Sequence, residues 1–199
     1  MAAWLCEGFE SEMIYFLLEE PSMKRALEKL LPRIIPGRSY ILISHNGKGD
    51  LQNAIKTVVP TLSRQANAKI MILHDQDNHD CFELKRELKR LSEKSNCSVL
   101  IRIVCRELES WFLGDMKAVE QAYPRFKADK FRNKKKFRDV DIIQKPSEYL
   151  RKMVPELKKY DILPKLTVAE KIAGHMNTEN NRSISFRHFV RGLEKLVSC

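Results

Sequence analysis

Glycine and proline are scarce in this 199-residue chain, at 7 and 8 residues, which excludes a collagen-like or low-complexity protein. Cysteine is scarcer. Cys6, Cys81, Cys97, Cys105 and Cys199 are odd in number and no two stand within four residues of each other, so neither a zinc site nor a disulfide framework is expected. No stretch approaches the roughly 20 apolar residues of a membrane span. The first apolar run, Met13–Leu18, is too short for a secretory signal and ends at Glu19 and Glu20. These features imply free thiols in a reducing cytoplasm and no membrane partner. The Gly-X-X-X-X-Gly-Lys-Ser/Thr phosphate loop and the Gly-X-Ser-X-Gly elbow are also missing, so neither ATP hydrolysis nor a serine triad has support.

What is present is an ordinary globular balance of 43% hydrophobic and 31% charged residues, with 36 basic against 26 acidic side chains and a net charge of +10. An excess of this size points to a polyanionic partner, or simply to a basic soluble domain. Short apolar runs at 13–18, 39–44, 68–73 and 98–104 read as buried strands. Between them, apolar residues recur at helical spacing: Ala26, Leu27, Leu30, Leu31 and Ile34, capped by Ser22; Leu51, Ile55, Val58, Val59 and Leu62; Phe82, Leu84, Leu88 and Leu91. Residues 13–114 thus alternate strand and helix. This predicts an α/β fold with a mostly parallel sheet of about four strands covered by helices. Residues 1–12 read as an N-terminal extension, 13–123 as the α/β core and 124–199 as a basic, mainly helical region packed on it.

In such sheets functional groups gather at the carboxyl ends of the strands, and acids stand at three of these ends. Asp75 and Asp77 form an Asp-X-Asp pair. On extended chain such a pair points one way, giving two hard oxygens suited to Mg²⁺ or Mn²⁺; the alternative is a solvated turn. Glu19 and Glu20 end the first strand, as metal ligands, as a general base, or as acids favoured at a helix start. Glu109 follows the fourth strand, either as a site residue or as part of a charged helix face. Lys48, in the turn after the second strand, is a candidate phosphate contact or a solvated lysine.

Residues 125–138 carry eight basic residues and one acid. Arg125, Lys127, Lys130, Arg132, Lys134, Lys135, Lys136 and Arg138, with Phe126, Phe131 and Phe137 interleaved, read as a nucleic-acid contact surface or as a solvated face. Arg182, in the polar cluster before the last helix, is a candidate to join that surface or to reach the acids.

Several longer signatures occur in order: Leu-Leu-Glu-Glu-Pro-Ser-Met (17–23), Leu-Leu-Pro-Arg (30–33), His-Asn-Gly-Lys-Gly-Asp-Leu (45–51), Asp-Gln-Asp (75–77) and Asp-Cys (80–81). Val-Cys-Arg-Glu-Leu-Glu-Ser-Trp-Phe-Leu-Gly-Asp (104–115), Lys-Lys-Phe-Arg-Asp (135–139) and Asn-Arg-Ser-Ile-Ser-Phe (181–186) follow. From about residue 13 to 199 the chain resembles a Toprim-like family of uncharacterised bacterial proteins, often encoded beside ATPases in phage-defence regions. The match sets Met13 as a candidate start. The resemblance implies a Rossmann-like Toprim sheet, a catalytic Glu at Glu19 and a metal-binding pair at Asp75 and Asp77, with Mg²⁺-dependent phosphodiester chemistry. Glu7-Gly8 imitates the Toprim Glu-Gly pair but lies too far from Leu30-Leu31-Pro32, and where Toprim sequences carry Gly after the Glu this chain has Glu20. The function expected is a Mg²⁺- or Mn²⁺-dependent nuclease acting on DNA or RNA, an effector of phage defence working with an ATPase and as a candidate homo-oligomer. The alternative is a non-catalytic subunit that binds nucleic acid or docks on the ATPase.

Overall fold

Four short, nearly continuous apolar runs set the architecture. In the computed structural model, which describes residues 12–198, they form β1 (Met13–Leu18), β2 (Ser39–Ser44), β3 (Ala68–Asp75) and β4 (Val99–Val104), all parallel in the order β2-β1-β3-β4. The period of two sends neighbouring residues to opposite faces. Ile14, Phe16, Leu18, Met71 and Leu73 join one apolar layer, and Tyr15, Leu17, Ile70 and Ile72 the other. A central strand apolar on both faces needs helices on both, which is the α/β arrangement expected.

One face is covered by α2 (Lys48–Thr57), α3 (Val59–Leu62) and α4 (Cys81–Leu91), through Leu51, Ile55, Val59, Leu84 and Leu88. The helical spacing over 51–62 predicts one helix, but the chain forms two, with Pro60 opening the second. The other face is covered by α1 (Pro21–Ile34), α5 (Glu109–Gly114), α6 (Met116–Ala122), α7 (Pro146–Met153), α8 (Lys165–Ala173) and α9 (Ile184–Ser198). Ser22 does not cap α1, as its position suggests. Glu20 is the N-cap residue, Pro21 takes the first turn, and the Ser22 hydroxyl donates to Glu20 Oε2 at 3.0 Å.

Residues from 124 onward add Phe126, Phe137, Leu150, Val168, Phe186 and Phe189 to the same apolar layer as α1 and α5. Trp111 ties the parts together. It stacks on Phe189 at 5.0 Å between ring centres and its indole N–H donates to Ser185 Oγ at 3.0 Å. Asn181 fits against Gly114 so closely that a Cβ there would lie 2.0 Å from the Asn181 amide oxygen. The Asn-Arg-Ser-Ile-Ser-Phe segment is therefore mostly a cap. Ser183 Oγ donates to Asp141 Oδ1, and the Ser185 N–H donates to Asp141 Oδ2. Of the expected N-terminal extension, residues 1–11 lie outside the described residues. Glu12 pairs with Lys69 at 2.8 Å and Arg38 at 3.3 Å. Among the described residues no helix is long and apolar enough to cross a membrane.

Candidate functional site

In a sheet of order 2-1-3-4 the chain leaves β1 for one side and β3 for the other, so a crevice opens beyond the carboxyl ends of these two neighbours. Three of the expected acids meet there. Glu19 follows β1, Asp75 is the last residue of β3 and Glu109 starts α5 just beyond β4. Their relative exposures are 4%, 2% and 1%, far below what an unpaired carboxylate tolerates without a compensating charge or hydrogen bond.

Glu19 is fully engaged on one oxygen. Its Oε2 accepts from the Asp75 backbone N–H at 2.8 Å and lies 2.8 Å from His74 Nδ1. The same ring nitrogen is 2.6 Å from the Asp75 carbonyl. Both neighbours are acceptors, so Nδ1 carries the hydrogen and donates. His74, completely buried under the site, thus fixes Glu19 against the end of β3. Asp75 Oδ1 and both Glu109 oxygens are buried with no hydrogen-bond partner. Burial drives the Asp75 carboxyl well above its usual range, with Glu109, Glu19 and Glu20 adding to it. Burial pushes Glu109 up to about 7 against the pull of Lys165.

Lys165, the first residue of α8, is the cation of this cluster. Its Nζ donates to both oxygens of Glu20, at 3.1 and 3.0 Å. Burial alone would lower its ammonium; the Glu109 and Glu20 carboxylates outweigh that and hold it above its ordinary value. Sequence reading missed Lys165, since nothing near it marks a site. One signal existed: a lysine at the first position of a helix opposes the macrodipole, which favours acids there.

Asp77 departs from the expected geometry. Asp75 is in the strand, but Asp77 sits in a left-handed turn at φ 49° and is exposed, so the pair does not point one way as extended chain would have it. Arg106, at φ 61°, mirrors it across the gap. The Asp77 N–H donates to the Arg106 carbonyl at 2.8 Å and Arg106 Nη1 donates to the Asp77 carbonyl at 3.0 Å. Two non-glycine residues in that region are uncommon and cost about 1–3 kcal/mol each; here each secures the other. Burial and the nearby Glu19 raise the Asp77 carboxyl. Glu20 needs no glycine: at φ −129° and ψ 150° it is extended, a conformation open to any residue. The glycine is needed at Gly47 (φ 95°), whose N–H donates to the Glu19 carbonyl at 2.9 Å and folds the loop after β2 under the site.

Lys48 is not gathered in. Its Nζ lies 3.5 Å from His79 Nε2 and 3.8 Å from Glu87 Oε2, which turns it toward α4. The basic segment is also built differently from the expected stacking surface. Phe126 and Phe137 are buried, and Phe131 stacks on Phe126 at 5.3 Å, so the aromatic side chains form a small core and are not offered to bases. Arg125, Lys127, Lys130, Lys134, Lys135, Lys136 and Arg138 are exposed around it, with Arg132 half-buried. Lys136 lies over the Tyr149 ring at 3.5 Å. Arg182 belongs to this segment and not to the acids: its Nη1 donates to the carbonyls of Arg132 and Phe137.

Hard carboxylate oxygens suit Mg²⁺ or Mn²⁺, and the orphaned oxygens of Asp75 and Glu109 are what a cation would satisfy. Among the described residues, however, no three His, Cys, Asp or Glu side chains already converge as a metal site. The oxygens are of the type a hard cation takes, but they do not converge as a ligand set, and Lys165 already supplies part of the compensating charge.

A family model described as "Domain of unknown function (DUF4276)" matches residues 18–194, and the chain belongs to that family. No curated protein and no solved structure matches the chain significantly.

Proposed function

We propose that this member of the unknown-function family is a Toprim-like, Mg²⁺- or Mn²⁺-dependent phosphodiesterase acting on DNA or RNA. The observation that carries the reading is the set of buried, partly unsatisfied carboxylates at the β1/β3 crevice. Burying Glu19, Asp75 and Glu109 together is costly unless a cation and a substrate use them. Glu19 and Asp75 would hold the metal, with Asp77, which the resemblance adds as a ligand, turned out of their line in this structure; the metal would supply an activated water and charge at the leaving oxygen. His74 orients Glu19. Glu109, with a carboxyl near neutrality, holds a proton at its Oε atoms for transfer. Lys165 places a positive charge beside the developing phosphorane oxygens. The exposed basic segment supplies an electrostatic surface for the polyanion.

An ATPase partner and a role in phage defence belong to the same reading and rest on the sequence resemblance; action in the cytoplasm rests on the scarce, unpaired cysteines, and a homo-oligomer is carried as an expectation alone. The second reading, a subunit that binds nucleic acid or docks on an ATPase without chemistry, is favoured by the Lys165–Glu20 pair, since an internal cation can stand in for a metal permanently.

Labelled single-stranded DNA, duplex DNA and transfer RNA incubated with Mg²⁺, Mn²⁺ or EDTA separate the two. Phosphodiesterase action requires metal-dependent cleavage that falls on the order of a hundredfold or more in Asp75→Asn and in Glu19→Gln, together with a Mg²⁺-dependent rise in Tm that Asp75→Asn abolishes. A wild-type chain that neither cleaves nor gains stability with millimolar metal returns the protein to the second reading.

A further inference from the structure

Two neighbouring cavities share Arg132 and Arg182 in their walls, one between the basic segment and the start of α9, the other beside α6 and the segment after α8, and neither is lined by Glu19, Asp75 or Glu109. The first, about 570 Å³, is also walled by Arg138 and Arg187. The second, about 450 Å³, is walled by Lys117, Gln121, His175 and Asn180. Both volumes lie within the roughly 300–1,000 Å³ of small-ligand sites.

Two guanidinium groups of the first cavity, those of Arg182 and Arg187, are aimed but not neutralised. Arg182 donates to two backbone carbonyls, and Arg187 Nη1 donates to the Asn181 carbonyl at 3.3 Å. A carbonyl fixes the direction of a guanidinium without cancelling its charge. Among the described residues, Arg138, Arg182 and Arg187 form no ion pair with a carboxylate. Arg132 alone of the four does, with Asp129 at 2.9 Å. The acids in the walls are turned to backbone. Asp139 Oδ1 accepts from the Asp141 N–H, and Asp115 accepts from the N–H groups of Ala118 and Asn177. Three unpaired planar forks around one cavity match the oxygens of a phosphate. The neighbouring amides and imidazole offer paired donors and acceptors of the kind that recognise a base edge.

We propose that the paired cavities bind a nucleoside phosphate, with the phosphate on Arg138, Arg182 and Arg187 and the base in the amide-lined compartment. The unit is supplied by a free nucleotide or by the phosphorylated end of a strand. The site stands apart from the acidic crevice and does not depend on its chemistry.

Calorimetry in EDTA, on the full chain, tests the site with adenosine 5′-monophosphate, adenosine, inorganic phosphate and a single-stranded oligonucleotide with or without a 5′-phosphate. The nucleotide is expected to bind at least about tenfold tighter than either of its halves, or the oligonucleotide to gain as much from its terminal phosphate. The first outcome identifies a free nucleotide, the second a strand end. Arg138→Ala/Arg187→Ala should weaken that binding by about tenfold per arginine, and both residues are exposed, so the fold is retained. Lys85→Ala/Lys89→Ala, which removes the same charge from α4, should leave it within about twofold. The proposal is overturned if neither the nucleotide nor the terminal phosphate shows the preference, or if the lysine and arginine pairs weaken binding equally.

Discussion

The acids at the strand ends and the arginines beside α9 carry unpaired charge in opposite settings. Glu109 and Asp75 are sealed from water, so their lack of partners appears in the protonation equilibrium: both carboxyls are raised, Glu109 to about 7. Arg138 and Arg187 stand in solvent, where high dielectric and counterions keep an unpaired cation at little cost. One region is charge the fold itself must compensate; the other is charge left for a ligand. The first should therefore respond to pH and to loss of its lysine, and the second only to what is added.

The largest effect separating the two regions should come from pH. Glu109 has its carboxyl raised from 4.5 to about 7 in the folded protein. The folded state therefore binds more protons across that interval. The stability Glu109 allows is complete below about 4.5, falls as pH rises toward 7, and levels off above. The span is on the order of 3 kcal/mol. Subtracting the urea-unfolding curve of Glu109→Gln from that of the wild type isolates this term. A difference that stays flat from pH 4.5 to 8 would break the contrast at its acidic end. Next in size is Lys165→Met, which strands Glu20, Glu109 and Asp75 without their cation. At pH 8 it should cost about 2 kcal/mol, reduced from the value for a fully buried pair because Lys165 is part-exposed. Denaturation at pH 5 should show the loss shrinking as Glu109, raised to about 7, takes up a proton. The smallest effect sharpens the other side: Arg138→Ala should move stability by no more than about 0.5 kcal/mol at either pH, read as an unchanged urea midpoint.

Short continuous apolar runs announced the strands, and the helical spacing between them announced a parallel sheet covered by helices, because burial on both faces leaves few arrangements. The acids at the strand ends were legible for the same reason: Glu19, Asp75 and Glu109 each follow a run whose end is a site by topology. The positions that sequence could not supply depend on long-range partners. His74 is locally one more residue of β3, and only the approach of Glu19 gives its ring a task. Lys165 lies far from the acids in sequence. Phe126, Phe131 and Phe137 alternate with cations in a way that fits base stacking equally well, and their inward turn is decided by a small core that no local pattern encodes. Asp77 was misplaced because spacing assumed extended chain, whereas its pairing with Arg106 imposes a left-handed turn.

The order of residues along the chain also sets a timetable. During synthesis, at about 5–20 residues per second, Glu19, Glu20, Asp75 and Glu109 leave the ribosome seconds before Lys165 does. Over that interval the nascent polypeptide holds the four acids without Lys165, while Trp111 waits for Ser185 and Phe189 to cover it. A product terminated between residues 109 and 165 would carry all four acids without the lysine that pairs with Glu20. Maturation of the crevice is thereby deferred until the last helices have been made.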